Sequence, residues 1–591
     1  MKYSDQIADW LVELGYTHCF FVGGGNIMHL IESLSRKLEC RAVIHEVAAG
    51  IAAEYFNESS SGAKALALVT AGPGLTNMVT AFAGAFLESR ELLVIGGQVK
   101  TADLARGELR QRGIQEIDGV SIVKSVSVRA ELIDRVLTAV EFASLVDAGA
   151  SGRKGPVFLE VPLDIQARQV EPESLAGGGW ASVPASAVTD VALKEIVERF
   201  NSAFRPAVLI GGGVTRATTR ALEDALAALG CPVMTTWNGT DRVPADQANY
   251  MGRPNTWGQR SSNIILQQSD FVLALGTRLG LQQTGFNWQQ FVPRGDVAQV
   301  DIDPAELVKG HPRVRYPLLG EANDFLKRFL GCSLRKHPEW LAYGREIRDA
   351  FPAIESANQT AEGYLSPFVF ATQLSDLCAS EDVIIPCSSG GAFTTMMQSF
   401  RQKSGQTIIT NKGLASMGYG LSGAIGAAFA NPDKRVVLVE GDGGFSQNMQ
   451  EIGTAAINRL NLKMFVFDDS GYASIRMTQR NYFGGRYVGC DTTTGLGLPS
   501  WDRLFPAWDV PVLRITAGFA ENPEFQRLFA AQGTMAFIVS IDPGQTYFPK
   551  IASRVTATGA MESNPLHLMS PDLSEEEQSR YLKFLSKEEA P

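Results

Sequence analysis

Short apolar runs alternate with longer helical stretches along most of the chain. Each run is rich in Val, Ile, Leu, Phe or Ala and is bounded by Gly, Pro or polar residues, which is typical of strands. Strands that alternate with helices predict parallel sheets covered by helices on both faces. The predicted fold class is therefore α/β, with three doubly wound parallel-sheet domains. Predicted strands of the first two domains lie at Thr17–Val22, Arg41–Ile44, Ala65–Val69, Leu92–Ile95, Pro206–Ile210, Pro232–Thr236, Phe271–Leu275 and Val297–Ile302.

Two stretches of different composition divide the chain. Residues 171–189 are rich in Gly, Ala, Ser and Pro, and residues 332–362 are polar, so we predict that both link domains. The predicted domains are residues 1–170, 190–330 and 363–551, and a tail, residues 552–591, is a candidate lid. The first and third domains each carry a glycine-rich turn after a strand, which indicates related units.

Two aspartates follow neighbouring apolar runs in the third domain. Asp442 ends the run Val437–Gly441, Asp469 ends the run Met464–Asp468, and Ser446–Arg459 is predicted to be the helix between them. A right-handed βαβ unit places both carboxyl ends at one edge of a parallel sheet, where open α/β sheets bind ligands. Carboxylates beside a glycine turn and a helix N-terminus suit a Mg²⁺ ion that carries a diphosphate.

Composition excludes several classes of function. The 591 residues carry a net charge of −10 without a basic stripe, which argues against a nucleic-acid partner. Seven cysteines without Cys-x-x-Cys spacing argue against a zinc site or a disulfide scaffold and predict a reducing, cytoplasmic location. The segment Met1–Trp10 lacks the apolar core of a signal peptide, and no apolar run is long enough to cross a bilayer, so no membrane is predicted.

The Gly-Asp-Gly turn at Asp442, followed by the turn Asp469-Ser470-Gly471, resembles the signature of thiamine-diphosphate enzymes. This resemblance implies three domains: an N-terminal pyrimidine-binding, a central and a C-terminal diphosphate-binding domain. It implies Mg²⁺ bound by the side chains of Asp442 and Asp469 and by the carbonyl of Gly471. The usual second ligand is Asn, so Asp469 adds one negative charge. The cofactor-binding residues implied here are Gly443, Gly444, Ser470 and Tyr472.

Glu46 is the second candidate for chemistry. It opens the helical run Val47–Glu54 among Ala, Val and Ile, and we expect it to be buried, where a carboxylate is costly to ionise. Read alone, it fits better a helix-terminal Glu that stabilises the dipole. In thiamine-diphosphate enzymes such a carboxylate shares a proton with the aminopyrimidine ring, so the resemblance makes Glu46 catalytic. It also places Glu46 of one subunit against Asp442 of another, which predicts a homodimer or homotetramer with active sites at the interface.

Other stretches resemble the acetohydroxyacid (acetolactate) synthase branch of this family. The segment Thr70–Asn77 resembles its turn around the cofactor, which implies cofactor contacts for Gly72, Pro73 and Asn77. The loop Ile114–Asp118 resembles an active-site loop and implies that Gln115, a catalytic residue, lies near the cofactor and the bound ketoacid.

The segment Lys412–Gly420 resembles the loop that holds the aminopyrimidine. By resemblance, the carbonyl of Ala415 accepts from the ring's amino group and Met417 forces the bent shape of the cofactor. A core methionine is the alternative for Met417. Ser389 and Gly390 are also assigned to cofactor binding, although their loop lacks the Gln-His pair of that branch.

The middle domain resembles the part of acetohydroxyacid synthases that binds FAD. No G-x-G-x-x-G fingerprint is present, and Gln282 and Gln283 stand where a second basic residue is expected after Arg278. The resemblance nevertheless favours FAD with a structural role. The implied contacts are Arg153, Gly212, Gly213, Thr235, Thr236, Gly276, Arg278, Asp301 and Ile302.

The whole chain resembles acetolactate synthase large subunits, but Gly23–Asn26, Ser389–Phe393 and the segment after the metal turn depart from them. The N-terminal segment and the stretch Leu566–Pro571 look closer to a branched-chain sugar carboligase of the yersiniose type. The paired histidines of simple ketoacid decarboxylases are missing, which favours carboligation. We therefore predict that pyruvate is the donor and that the acceptor is a ketone. The predicted acceptor ketone is a keto-sugar nucleotide, such as a nucleotide-linked keto-deoxysugar, and acetolactate is a further product.

Three alternatives remain at this stage. They are an anabolic acetolactate synthase large subunit for branched-chain amino acids, a flavin-dependent pyruvate oxidase, and a cofactor-binding regulatory protein without catalysis. The presence of Glu46, Asp442 and Gln115 speaks against the last of these.

Overall fold

The computed structural model describes residues 1–175, 186–555 and 561–585. Three parallel sheets follow one another along the chain, with six, five and six strands, which confirms the predicted fold class. Most of the first predicted link lies outside the described residues. No helix among the described residues is long and apolar enough to cross a membrane.

The N-terminal sheet is buried between helices, and its central strands are apolar on both faces. Its spatial order is β2-β1-β3-β4-β6-β5, all parallel. The strands are β1 (Tyr16–Phe21), β2 (Glu39–Ala42), β3 (Lys64–Val69), β4 (Leu92–Gln98), β5 (Arg129–Leu132) and β6 (Pro156–Pro162). The helices are α1 (Tyr3–Glu13), α2 (Met28–Leu34), α3 (Glu46–Ser59), α4 (Pro73–Thr76), α5 (Val79–Glu88), α6 (Gly119–Val123), α7 (Ala139–Asp147), α8 (Leu163–Gln166) and α9 (Pro172–Leu175).

The middle sheet has the order β11-β10-β9-β7-β8, also parallel throughout. Its strands are β7 (Pro206–Ile210), β8 (Val233–Thr235), β9 (Phe271–Leu275), β10 (Asp296–Asp301) and β11 (Tyr316–Leu319). Its helices are α10 (Asp190–Ser202), α11 (Arg216–Ala221), α12 (Glu223–Ala227), α13 (Arg260–Gln267), α14 (Leu281–Thr284), α15 (Pro304–Val308), α16 (Ala322–Leu330) and α17 (Pro338–Ala350).

The C-terminal sheet repeats the topology of the first. Its order, β13-β12-β14-β15-β17-β16, matches the N-terminal order strand for strand, so these two domains are related units as predicted. The strands are β12 (Val383–Ile385), β13 (Thr407–Ile408), β14 (Val436–Gly441), β15 (Leu462–Asp468), β16 (Val512–Ile515) and β17 (Met535–Ser540). The helices are α18 (Pro367–Leu377), α19 (Gly390–Ser399), α20 (Tyr419–Ala430), α21 (Asp442–Phe445), α22 (Ile452–Ile457), α23 (Ala473–Tyr482), α24 (Trp501–Leu504) and α25 (Pro523–Ala530).

The N- and C-terminal domains share one hydrophobic core, because α3 packs directly on α20. Gly426 of α20 lies so close to the backbone of Ala52 that any side chain there would clash. Inside this contact the carboxylate of Glu54 accepts from Arg90 Nη1 at 2.8 Å and from the Tyr419 hydroxyl at 2.7 Å. A buried, hydrogen-bonded ion pair therefore fixes how the two domains meet.

One sequence expectation needs correction, and two predicted segments contain helices or strands that their composition did not indicate. The helix predicted at 446–459 is replaced by a 3₁₀ turn at Met449–Glu451 and the short helix α22, since Asn448 leaves the helical path and donates to Gly418 O at 2.7 Å. The predicted link at 332–362 contains α17, whose apolar face packs on the middle domain. The described part of the tail contains β19 (Ser553–Val555), β20 (Met561–Ser563), β21 (Met569–Ser570) and α26 (Glu575–Tyr581), and β21 pairs with β18 (Lys550–Ile551), which precedes the tail.

The tail is docked on the middle domain in this structure. Leu566 and Tyr581 lie in the core cluster of α13 and α17, and Gln268 donates to Tyr581 O at 2.9 Å. In this structure these residues of the tail are therefore packed against the middle domain, and a role as a lid stays a prediction.

Candidate active site

The two predicted metal ligands meet at the carboxyl edge of the C-terminal sheet. Asp442 follows β14 and Asp469 follows β15, and these strands pair in parallel register. The carboxylate of Asp442 accepts from Gly443 N at 2.6 Å and from Gly471 N at 3.0 Å, which ties the two turns together. The position is the point where the strand order reverses, next to the turn that follows β12. Ligands of open α/β sheets bind at such a point.

These carboxylates lie in an environment that favours a bound cation. Both are almost completely buried. Burial raises the pKa of Asp442 well above its ordinary value, and the neighbouring charge of Asp469 raises it further. Burial likewise raises the pKa of Asp469, to about 7, although Arg476 opposes this shift. Two desolvated carboxylates at one edge fit a hard divalent ion, which would remove the cost of their charge.

Arg476 provides the charge that balances the unusual Asp469. Its Nη2 lies 3.2 Å from Asp469 Oδ1 and donates to Asp469 O at 2.9 Å. Asp469 Oδ1 has no hydrogen bond of good geometry, so this oxygen remains available to a metal. An arginine at this position compensates for the negative charge that replaces the family's neutral Asn.

The turn after β14 leaves its backbone accessible to a ligand. A side chain at Gly443 would run into the ring of Tyr472, and one at Gly444 would crowd the buried Glu440. Ser470 has a left-handed backbone with φ of 65°, and Tyr472 N donates to Cys490 O at 2.7 Å, which holds the second turn in place. The glycines, the N–H groups of α21 and the paired aspartates therefore fit a Mg²⁺–diphosphate group.

Glu46 opens α3 as predicted, but it is half-buried in this chain rather than fully buried. Its carboxylate accepts from Asn77 Nδ2 at 3.0 Å, so two predicted site residues are in contact. The start of the helix is held from the C-terminal domain by Glu451, which accepts from Ile44 N at 3.1 Å and His45 N at 3.0 Å.

The predicted pyrimidine-side residues gather at the carboxyl edge of the N-terminal sheet. Gly72 and Pro73 follow β3, and Gln115 lies in the loop after β4. A side chain on Gly72, whose φ is 67°, would clash with the backbone carbonyl of Gln115, so the two loops touch. Gln115 is exposed and has a φ of 63°. Such a strained, exposed residue on a fixed loop is typical of functional sites.

The loops after β12 and β13 complete the C-terminal edge. Ser388 Oγ donates to Ser416 O, which joins the loop of Ser389 and Gly390 to that of Ala415 and Met417. Ala415 has a φ of 55°, and Met417 is 37% exposed, which argues against the core-methionine alternative. The cofactor-binding roles of these residues stay predictions.

The residues predicted to contact FAD also gather at one edge, that of the middle sheet. The turns at Gly213 and Gly276 pack on each other so closely that neither position has room for a side chain. Arg153 reaches this edge from the N-terminal domain, where it pairs with Asp303 and, at 3.0 Å, with Glu306 Oε1. The other predicted FAD contacts lie at the same edge of the sheet: Gly212, Thr235, Thr236, Arg278, Asp301 and Ile302. Arg278 is exposed. These contacts within the protein explain why the residues lie together even without a flavin, so FAD stays a prediction.

Colour tests this prediction directly. We expect the purified protein to be yellow and its flavin to stay oxidised during turnover, because carbon–carbon bond formation needs no electron acceptor. The absorbance spectrum and the amount of flavin released on denaturation measure this. Arg153→Ala should lower the flavin content, whereas Arg135→Ala, an exposed arginine of the same domain, should leave it unchanged. A colourless protein with full activity contradicts the FAD prediction, and rapid bleaching by pyruvate alone would favour an oxidase.

Sequence reasoning missed several residues that support the site. Glu160 on β6 is buried, accepts from Gln98 Nε2 at 3.2 Å, and burial raises its pKa to about 8. Burial also raises the pKa of Glu440 to about 8, directly under the Gly443–Gly444 turn. A single charged residue inside an apolar strand was the available signal for both. Glu451 and Arg476 carried no such signal.

Comparison with known protein families agrees with this geometry. Residues 1–122 match the "Thiamine pyrophosphate enzyme, N-terminal TPP binding domain", residues 193–329 the "central domain" and residues 389–539 the "C-terminal TPP binding domain" of the same family. Thiamine pyrophosphate is another name for thiamine diphosphate. The three matches fall on the three sheet domains in order.

Curated relatives are similar to the chain along nearly its whole length. The acetolactate synthase isozyme 2 large subunit of Escherichia coli K12 is 28% identical over 95% of this chain and 100% of its own. The isozyme 1 large subunit of the same organism is 29% identical over 84% and 89%. Acetolactate synthase 1, chloroplastic, of Zea mays is 27% identical over 93% and 87%. With its three domains matched in order and its two predicted metal ligands at the carboxyl edge of the third sheet, the chain belongs to the thiamine pyrophosphate-dependent enzymes and has acetolactate synthase large subunits as homologues.

Proposed function

We propose that this protein is a thiamine-diphosphate carboligase that takes an acetyl unit from pyruvate. Pyruvate loses CO₂, its former carbonyl carbon bonds to the carbonyl carbon of an acceptor ketone, and the ketone oxygen takes a proton. The product is a tertiary alcohol that carries an acetyl branch. The observation that carries the cofactor chemistry is the pair Asp442 and Asp469 at the switch point of the C-terminal sheet. The relatives named acetolactate synthases support pyruvate as the donor.

The chain's own residues have distinct parts in this reaction. Asp442, Asp469 and the carbonyl of Gly471 would hold Mg²⁺, and the Gly443–Gly444 turn would bind the diphosphate. When bound, thiamine diphosphate supplies the electron sink for decarboxylation and the carbon nucleophile for the new bond. Glu46 would hold and release a proton at the pyrimidine ring, and Asn77 orients its carboxylate. Homo-oligomerisation, with Glu46 of one subunit facing Asp442 of another, and a cytoplasmic location belong to the same proposal.

We further propose that the acceptor is bulkier than a second ketoacid, as a nucleotide-linked keto-deoxysugar is. Gly23 and Gly25 after β1, and Gly390 after β12, face open space, with no atom within 4 Å of where a side chain would begin. Phe393, in the same loop region as Gly390, adds no such space, because it is buried against Trp237 and belongs to the core. Space near both sheet edges leaves room for a large ketone. The similarity to acetolactate synthases equally supports acetolactate formation, the activity of the main alternative.

Product analysis decides between these acceptors. With pyruvate alone, we expect CO₂ release and slow formation of acetolactate. Adding a nucleotide-linked 4-keto-deoxysugar should divert the acetyl unit into a branched sugar, since an acceptor held close to the nucleophile competes with protonation. Mass spectrometry and carbon NMR identify the products, and Asp442→Ala provides the inactive control. Efficient conversion of 2-ketobutyrate with no use of a bulkier ketone would establish the amino-acid synthase instead.

A further inference from the structure

The loop that carries Gln115 has no helix or strand of its own. Residues 104–118, called the Gln115 loop from here on, lie between a 3₁₀ turn that ends at Asp103 and helix α6, which begins at Gly119. Residues 106–112 are all exposed, so packing contributes little to the position of this part of the loop. The position of Gln115 therefore depends on hydrogen bonds within the loop and at its two ends.

The carboxylate of Glu116 holds this loop together from inside. Glu116 is buried, and its Oε1 accepts a hydrogen bond from Ala105 N. Its Oε2 accepts from Arg112 N at 2.8 Å and from Gly113 N at 2.9 Å. Hydrogen bonds to an ionised carboxylate are stronger than those between neutral groups. One side chain therefore joins the beginning of the exposed stretch to its end, directly beside Gln115.

The same N–H groups keep Glu116 ionised. Burial alone would raise the pKa of Glu116, but the backbone N–H groups of Ala105, Gly113 and Arg112 outweigh burial and hold the pKa below its ordinary value. A carboxylate that accepts several backbone hydrogen bonds keeps its charge in this way. We therefore expect these three hydrogen bonds to be present at neutral pH.

Gln115 itself is held from two sides. Its backbone is left-handed, with φ of 63°, although its side chain is exposed. On one side, its carbonyl packs on Gly72, where a side chain would clash. On the other side it is followed by the anchored Glu116, and Gln98 Nε2 donates to Ile117 O at 3.0 Å. A strained residue of this kind persists only where its surroundings fix it, so the anchors on both sides determine where the Gln115 side chain lies.

We propose that Glu116 is a positioning residue, whose carboxylate fixes the Gln115 loop so that Gln115 meets the bound ketoacid. This inference rests on the proposed function, because the contact between Gln115 and pyruvate belongs to it. Glutamine at position 116 keeps the size of the side chain but turns an NH₂ group toward an N–H donor, so at least one of the three hydrogen bonds is lost. A shift of about 1 Å in a group that contacts the substrate can lower the rate about a hundredfold.

Steady-state kinetics of acetolactate formation from pyruvate, with the holoenzyme, tests this role. We expect Glu116→Gln and Gln115→Ala each to lower kcat/KM for pyruvate about a hundredfold. The double variant should lose no more than either single variant, because both changes act through the same group. The affinity for thiamine diphosphate, measured by calorimetry, should change by less than about threefold, since the predicted diphosphate site lies in the C-terminal domain.

Glu141→Gln is the matched control. Glu141 is another carboxylate of the N-terminal domain that accepts a backbone hydrogen bond, from Thr138 N at 2.7 Å, but it does so at the start of α7. This variant should keep the kcat/KM of the wild type. Thermal unfolding of all variants verifies that they fold.

Hydrogen exchange followed by mass spectrometry gives a second readout that needs no substrate. Amide protons in residues 105–113 should exchange faster in Glu116→Gln, because the loop opens more often when its central acceptor is changed. Exchange in these residues should stay at the wild-type rate in Gln115→Ala and in Glu141→Gln. The two methods together measure the position of the loop and its consequence for pyruvate separately.

The outcomes separate this inference from the wider proposal. Unchanged exchange in Glu116→Gln overturns it, as does a double variant whose loss equals the product of the two single losses. A loss of cofactor affinity as large as the loss of kcat/KM would show a general structural role instead. Full activity of Gln115→Ala also overturns it, while acetolactate formation by the wild type leaves the carboligase proposal intact. If the wild type leaves pyruvate unchanged but exchange is faster in Glu116→Gln, the carboligase proposal fails and the hold of Glu116 on the loop stands.

Discussion

Replacing Asp442 with Ala is expected to weaken the binding of thiamine diphosphate about a hundredfold or more. The change removes one of two carboxylates that would hold Mg²⁺ next to the diphosphate, and metal ions contribute several kcal/mol to such contacts. It also removes the acceptor for Gly443 N and Gly471 N, so the two turns lose their common anchor. Calorimetric titration of the cofactor in excess Mg²⁺ measures the loss.

Asp468→Asn is the matched control for this experiment. Asp468 precedes Asp469 and its charge acts on both aspartates, but its carboxylate pairs with Arg514 at 2.8 Å on a partly exposed face and is not a predicted metal ligand. Its cofactor affinity should stay within a few-fold of the wild type. An unchanged affinity in Asp442→Ala would mean that the metal lies elsewhere, and an equal loss in both variants would indicate a general effect of negative charge.

The sheet architecture was predictable because strands buried on both faces produce continuous apolar runs. Pro206–Ile210 and Phe271–Leu275 have the predicted bounds, and the position of Asp442 and Asp469 followed from parallel pairing alone. Peripheral strands such as β5 and β11 were missed, since they are partly exposed and their apolar content is low. A strand can be recognised from the sequence only where burial of one or both of its faces requires apolar residues.

Contacts between domains could not be predicted from local pattern. Glu451, which holds the start of α3, looks like an ordinary helix residue in the sequence, and its partner residues lie more than four hundred positions away. The sequence did not show that Arg476 is the counter-ion of Asp469, because only the folded turn brings the two side chains together.

Glu46→Gln is expected to lower kcat by about 10²–10⁴-fold while the protein still folds and binds its cofactor, because general acid–base steps contribute about that much. Glutamine keeps the shape and can still meet Asn77, but it cannot hold a proton at the pyrimidine ring. The structure predicts little loss of stability, since the side chain is half-buried and its only described hydrogen bond comes from Asn77.

Exchange of the cofactor's C2 proton, followed by NMR on the loaded protein, isolates this proton-transfer role from substrate binding. We expect exchange in Glu46→Gln to slow as much as turnover does. Glu39→Gln, on the exposed strand β2, should exchange at the wild-type rate. If turnover falls but exchange stays normal, Glu46 acts on the substrate rather than on the cofactor. Normal exchange together with normal turnover would mean that the residue is a helix-terminal carboxylate, the reading that its sequence context alone allows.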